Sequence, residues 1–185
     1  MTRCMISAPQ PEAVEAGLDI FKAGGNVMDA AIAAAFVQTV VDPQMCGIAG
    51  FGSMQILMPE KDIHSFIDFH GKAPKATKPD MWEHLIEREC DDGFSFVLKG
   101  QVNEFGYQSM TSPMTLQAFN TALQHHGTMS LGQVLQPAID YCINGFAVRP
   151  RVLGFWLQPA QAGRIERVAV VNKLDAARKI YLSED

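Results

Sequence analysis

The chain is sparing with cysteine. Its 185 residues hold four, at Cys4, Cys46, Cys90 and Cys142, and no two form a C-x-x-C pair. That scatter excludes a zinc ribbon or a disulfide framework and reads as separate reduced thiols. Clustered positive charge is also lacking. Fifteen basic residues face twenty acidic ones, for a net charge of −5, so a nucleic-acid partner is not expected. No apolar run is long enough to cross a bilayer. The longest, VMDAAIAAAFVQTVV at 27–41, carries Asp29 and Gln38. The opening MTRCMISAPQPEA has no apolar signal-peptide core. The expectation is a soluble, cytoplasmic chain, or a periplasmic one if the N-terminus is incomplete. Repeats and low-complexity tracts are absent, and 48% hydrophobic with 19% charged residues is a globular balance.

What is present alternates between helical and strand patterns. A helix is predicted over 11–23, opened by Pro11 and carrying Val14, Leu18 and Phe21 on one face. Gly24-Gly25 ends it, and Asn26 caps a second helix over about 27–40, with Asp29 at its third position. This second helix is alanine-rich and apolar all round, which requires burial on every side. Three glycines, Gly47, Gly50 and Gly52, then lead into a strand at 53–58, a turn at 59–62 and a partner strand at 63–69. A loop and a short helix from about Asp80 follow, then a strand within 94–98. Ser112-Pro113 reads as the cap of a helix running to His125, closed by Gly127. Ser130 and Gln133 form the capping box of another, ending at Asn144-Gly145. Short helices are expected after Arg149-Pro150 and over 173–181, before the closing Ser183-Glu184-Asp185. Buried helices against hairpin strands give an α+β, layered α/β class.

The chemistry-bearing residues are isolated. The glycine loop GIAGFG is neither G-x-G-x-x-G nor a G-K-[ST] loop, and it follows a helix, so a bound nucleotide or other cofactor is not expected. It is a tight turn, or backbone N–H groups that line a substrate site. His125 and His126 point about 100° apart on a helix. His64 and His84 lack ligand partners at useful spacing, so no metal site is expected. Cys46 lacks a nearby base and reads as structural. No serine occupies a G-x-S-x-G elbow. His70, in FIDFHGKAP, stands where a strand ends. It is a base, a metal ligand, a substrate clamp or an inert surface residue.

Longer motifs carry a resemblance. Residues 8–52, APQPEAVEAGLDIFKAGGNVMDAAIAAAFVQTVVDPQMCGIAGFG, resemble the opening of the γ-glutamyltransferase (γ-glutamyl transpeptidase) family, with its GGNA-x-DAA, alanine-rich helix, V-x-P and G-I-G-G-G loop. DFHGKAPKATKPDM at 68–81 resembles its D-x-R-E-x-A-P motif. HHGTMSLGQVLQPAIDYCINGFAVRP resembles its helix pair, and NKLDAARKIYLSED the later segment. The resemblance implies an N-terminal-nucleophile hydrolase fold, an αββα sandwich present only in part. Residues 1–185 would be the N-terminal part of the large subunit, one domain incomplete without the downstream segment. It implies a precursor that cuts itself, and a small subunit whose N-terminal threonine is nucleophile and base in one residue. No threonine here, including Thr111 and Thr128, matches that position, so the chain itself holds no catalytic residue. The expected partners are the rest of the large subunit, the small subunit and a small acyl amide, γ-glutamyl or related.

By the same resemblance, His70 stands at the family's carboxylate-clamping arginine, with Gly47 and Gly50 in the substrate-side loop. Arginine clamps a carboxylate through two parallel hydrogen bonds and stays charged, whereas neutral histidine has one donor. The motif's glutamate is Gly71 here, Phe51 replaces a loop glycine, and the family's V-P-G reads Thr111-Ser112-Pro113-Met114. Two readings follow. One is an amidohydrolase or acyltransferase for a different acyl group, favoured because an altered clamp in an intact scaffold is a common way to change substrate. The other is a degenerate, non-catalytic assembly partner.

Overall fold

The computed structural model describes residues 4–159 and 166–182. The expected closing residues Ser183-Glu184-Asp185 lie outside that set. The chain divides into two compact units, one from Met1–Lys72 with Pro113–Val148, the other from Ala73–Ser112 with Arg149–Asp185.

The first unit is built around one helix. Helix α1 spans Pro11–Lys22 and α2 spans Val27–Val41. Asn26 caps α2, accepting from the N–H groups of Met28 (2.8 Å) and Asp29 (3.1 Å), while Asp29 accepts from the Asn26 N–H (2.9 Å). This reciprocal pair satisfies donors that the first helical turn leaves open, worth about 1 kcal/mol. Ile32, Ala33, Phe36 and Val37 of α2 are fully buried, as expected of a helix with no polar face. Helices α1, α3 (Thr115–His126) and α4 (Leu131–Asn144) pack around it.

The buried face of α1 differs from the expected one. Ala13, Ala16, Gly17 and Ile20 are buried, whereas Leu18 is exposed and Val14 and Phe21 are half-buried. The reason is the approach of α2. A Cβ on Gly17 would lie 2.1 Å from Ile6 Cδ1 and 3.1 Å from the Ala30 carbonyl oxygen, so the contacting stripe, at spacings of three and four residues, needs its smallest residue at that point.

Strands β1 (Ser53–Met58) and β2 (Ile63–Asp68) form the expected antiparallel hairpin, with Met58 opposite Ile63 and Ser53 opposite Asp68. Asp62 closes its turn at φ 52°, a left-handed value that aspartate tolerates. Ile56 and Met58 face the core. Phe69, one residue past β2, packs edge-on to Phe119 of α3 at 6.0 Å, and Phe119 packs edge-on to Phe36 of α2 at 5.1 Å. This aromatic column couples the end of the hairpin to the central helix. The opposite face of the hairpin, with Gln55, Leu57, His64 and Phe66, is exposed.

Helix α3 begins two residues later than Ser112-Pro113 suggests. Met114 precedes it without a side-chain cap. The N–H of Met114 donates instead to the carbonyl of Gly50 at 3.2 Å, so the approach to α3 is tied to the glycine loop. Helix α4 has the expected capping box, with the Gln133 N–H donating to Ser130 Oγ at 3.3 Å and the Ser130 N–H donating to Gln133 Oε1 at 3.0 Å.

In the second unit, the region near Asp80 forms only a short turn of 3-10 helix at Glu83–Leu85. Strand β3 (Ile86–Glu89), which the sequence pattern does not announce, pairs with β4 (Phe96–Leu98). All four residues of β3 are exposed, so it shows no alternation of apolar and polar positions. Trp82 Nε1 donates to Gln108 Oε1 at 2.9 Å. Helix α5 (Pro150–Trp156) starts as expected after Arg149. The tail contains two helices rather than one, α6 (Arg167–Asn172) and α7 (Asp175–Tyr181), with Trp156 edge-on to Tyr181 at 5.6 Å.

Candidate functional site

His70 and the glycine loop fall in the same unit and meet at one end of the β1–β2 hairpin. The loop enters through a polar knot at the C-terminus of α2. There Asp42 accepts from Gln38 Nε2 at 2.9 Å, from Gln10 Nε2 at 3.3 Å and from Gln44 Nε2. Asp42 is buried, and three neutral amides replace the water it gives up. The Cys46 thiol donates back to the Gln38 carbonyl at 3.3 Å. Burial, aided by the Asp42 charge, pushes this thiol up to about 11, so Cys46 is a fixed structural group rather than a nucleophile. Iodoacetamide at pH 8 should therefore label exposed Cys142 at least about tenfold faster than Cys46. Equal rates in a mass-spectrometric time course would contradict that assignment.

From this anchor the loop turns sharply. The Gly50 N–H donates to the Gly47 carbonyl at 2.9 Å, and a Cβ on Gly50 would lie 2.8 Å from that oxygen. Gly47 itself borders open space, with nothing within 4 Å of where its Cβ would stand. At Gly52 the constraint comes from the neighbouring strand. Its carbonyl accepts from the Phe69 N–H at 3.0 Å, and the Phe69 ring lies 3.1 Å from where a Cβ would be. The glycines thus let the loop lie against the end of β2.

At that end, Asp68 and His70 form a pair. The Asp68 carboxylate accepts from the His70 backbone N–H at 3.0 Å and meets His70 Nδ1 at 2.7 Å. These two hydrogen bonds, backbone first and side chain second, hold the Asp68 pKa below its ordinary value. An ionised carboxylate only accepts, so Nδ1 carries the shared proton and Nε2 points away with its lone pair free when the ring is neutral. The side chains of His70 and Asp68 remain 62% and 67% exposed, open to a ligand. The ring of Phe51, itself exposed, lies 5.6 Å from the His70 ring at a 35° tilt. The arrangement is an exposed cluster of an aromatic ring, an imidazole and the carboxylate that holds its Nδ1.

Neither Asp68 nor Phe51 is among the site residues that the sequence reading names. Asp68 had a signal, since residues two apart at a strand end share a side. Phe51 is marked in the sequence as the replacement of a loop glycine, but its packing on His70 is not, because the path of a glycine-rich loop is not set by local pattern. His64 meets only Gln55 Nε2, at 3.0 Å, on the exposed hairpin face. Among the described residues, no group of three or more His, Cys, Asp or Glu side chains is placed to hold a metal ion.

Residues 13–185 match the family model of γ-glutamyltranspeptidase. The chain belongs to the γ-glutamyltranspeptidase family. It is 36% identical over 149 residues to the acylase ACY 1 proenzyme of Pseudomonas sp. strain V22, covering 80% of this chain and 26% of that protein. It is 34% identical over 145 residues to the glutathione hydrolase proenzyme of Bacillus subtilis, covering 78% of this chain and 23% of that protein. The chain thus spans about a quarter of the length of these relatives, and corresponds to their N-terminal part. Its fold is similar to that of the Helicobacter pylori γ-glutamyltranspeptidase, with a TM-score of 0.78 at 24% identity over all of this chain and 48% of that one. It is also similar to a cephalosporin acylase from Bacillus halodurans, with a TM-score of 0.68 at 27% identity, over 95% of this chain and 28% of that one. The α+β architecture inferred for the family is therefore present here, in part.

Proposed function

We propose that this chain is the N-terminal portion of a self-processing γ-glutamyltranspeptidase-like amidohydrolase or acyltransferase, and that it supplies scaffold and one wall of the acyl pocket. The nucleophilic threonine of this reading lies on a downstream segment, which forms the small subunit after self-cleavage. The observation that supports it best is the convergence of His70, which the resemblance puts at the family's carboxylate clamp, with the glycine loop and Phe51. A second observation is the bare face of the β1–β2 hairpin. A two-stranded sheet is marginal by itself, and Leu57 and Phe66 are each 63% exposed on it. Further strands of the sandwich from the remaining sequence would cover that face. The relatives named acylase and glutathione hydrolase proenzymes support both the cleavage and the amide chemistry.

The test uses the full-length protein. Self-cleavage into two fragments on a gel, and release of nitroaniline from at least one acyl p-nitroanilide, are the expected results. Absence of both would overturn the enzyme reading in favour of an assembly partner.

A further inference from the structure

When the His70 ring is neutral, its hydrogen bonding favours a donor over an acyl carboxylate. With Nδ1–H committed to Asp68 at 2.7 Å, the neutral imidazole offers only the acceptor Nε2. A carboxylate is itself acceptor-only, so the two lone pairs would face each other. Charge works in the same direction. Asp68 is negative, Lys72 beside it is positive, and both act on one another through space. With a neutral imidazole the three side chains sum to zero, whereas an arginine at position 70 would leave a net positive charge. Phe51 adds an apolar ring face where a glycine would leave backbone.

We propose, on the basis of the amidohydrolase reading above, that the Asp68–His70 pair and Phe51 select acyl amides whose acyl group ends in an uncharged hydrogen-bond donor and not in a carboxylate. The donor, a carboxamide or hydroxyl, bonds to His70 Nε2 while the methylene chain of the acyl group lies along Phe51. His70 is the residue that contacts the acyl end. Asp68 is a positioning residue, which fixes the ring's tautomer and orientation without touching the ligand.

An isosteric pair of substrates isolates the effect. The p-nitroanilide of glutaric acid and that of its terminal monoamide differ only in carboxylate against carboxamide. The processed full-length protein should show a kcat/KM at least about tenfold higher for the carboxamide, carried mainly by KM. His70→Ala should reduce that ratio to below about threefold, with nitroaniline still released. Asp68→Asn should raise KM for the carboxamide several-fold while leaving kcat within about twofold, a split that general destabilisation would not produce. Equal or reversed preference in the parent, with turnover intact, overturns this inference and leaves the amidohydrolase reading standing. A ratio unchanged in His70→Ala also overturns it. Failure of every acyl anilide, including the γ-glutamyl one, together with absent self-cleavage, removes the amidohydrolase reading itself.

Discussion

Asp29→Ala should lower stability by about 3 kcal/mol or more, enough to leave much of the protein unfolded or insoluble. The size follows from what one buried carboxylate holds. Asp29 is fully buried in α2, yet it accepts from four groups. These are the Asn26 N–H at 2.9 Å, the Thr128 N–H at 3.0 Å, the Thr128 hydroxyl at 2.6 Å and the Met129 N–H at 3.2 Å. The last three belong to the turn between α3 and α4. Asn26 adds a further tie to that turn, donating through Nδ2 to the His126 carbonyl at 2.7 Å. Removing the carboxylate strands three backbone donors and a hydroxyl, each costing about 1–3 kcal/mol if left unpaired, with partial relief from entering water. Asp29→Asn should cost about half as much, since one oxygen still accepts but its amide presents donors to donors.

The same network has a pH signature. Burial by itself would raise the pKa of Asp29, but the hydrogen bonds from Thr128, Asn26 and Met129 outweigh it and hold the pKa below the ordinary value of 3.8. A depressed folded-state pKa means that the contribution is complete above pH 4 or so and fades as pH falls through the folded value. Denaturant melts at descending pH should therefore show a loss of stability below about pH 4 that is smaller in Asp29→Asn. A melt of Asp29→Ala within about 0.5 kcal/mol of the parent would show that the turn does not depend on this carboxylate. Gly127 belongs to the same device, since a Cβ there would stand 2.7 Å from Asp29 Oδ1 and 2.8 Å from the Leu123 carbonyl oxygen.

His70→Arg should raise kcat/KM toward a γ-glutamyl anilide about tenfold, roughly 1.4 kcal/mol, in the processed full-length protein. The expectation rests on the proposed function. Guanidinium restores two parallel donors and a permanent charge, and both favour a carboxylate over what one imidazole provides. Asp68 would then accept from one edge of the guanidinium and orient it, much as it now orients the imidazole at 2.7 Å. The gain should fall on KM more than on kcat, because the clamp binds substrate and transition state alike. Activity unchanged within about twofold would place residue 70 away from the acyl group.

Local chemistry was legible wherever it acts within a few residues. The Asn26–Asp29 and Ser130–Gln133 capping boxes, the end of α3 at Gly127 and the β1–β2 hairpin follow from short-range spacing. The total burial of α2 follows from its apolar circumference. Other features had no local signal. The start of α3 shifted because the Met114 N–H is spent on Gly50. The stripe of α1 that is buried was chosen by how closely α2 approaches, not by which residues of α1 are largest.

By itself, then, the sequence determined the helices around α2, the hairpin and the family motifs, and the resemblance implied His70 in the place of a clamping arginine. Only the tertiary structure decided what those residues face. Asp29 looked like half of a helix cap, and became the anchor of a turn 99 residues away in sequence. His70 looked solitary, and became one member of a group with Asp68 and Phe51. The physical reason is the same in both cases. Periodicity and capping are set by backbone geometry over one or two turns, whereas the partner of a polar side chain is set by packing between segments that local sequence does not order.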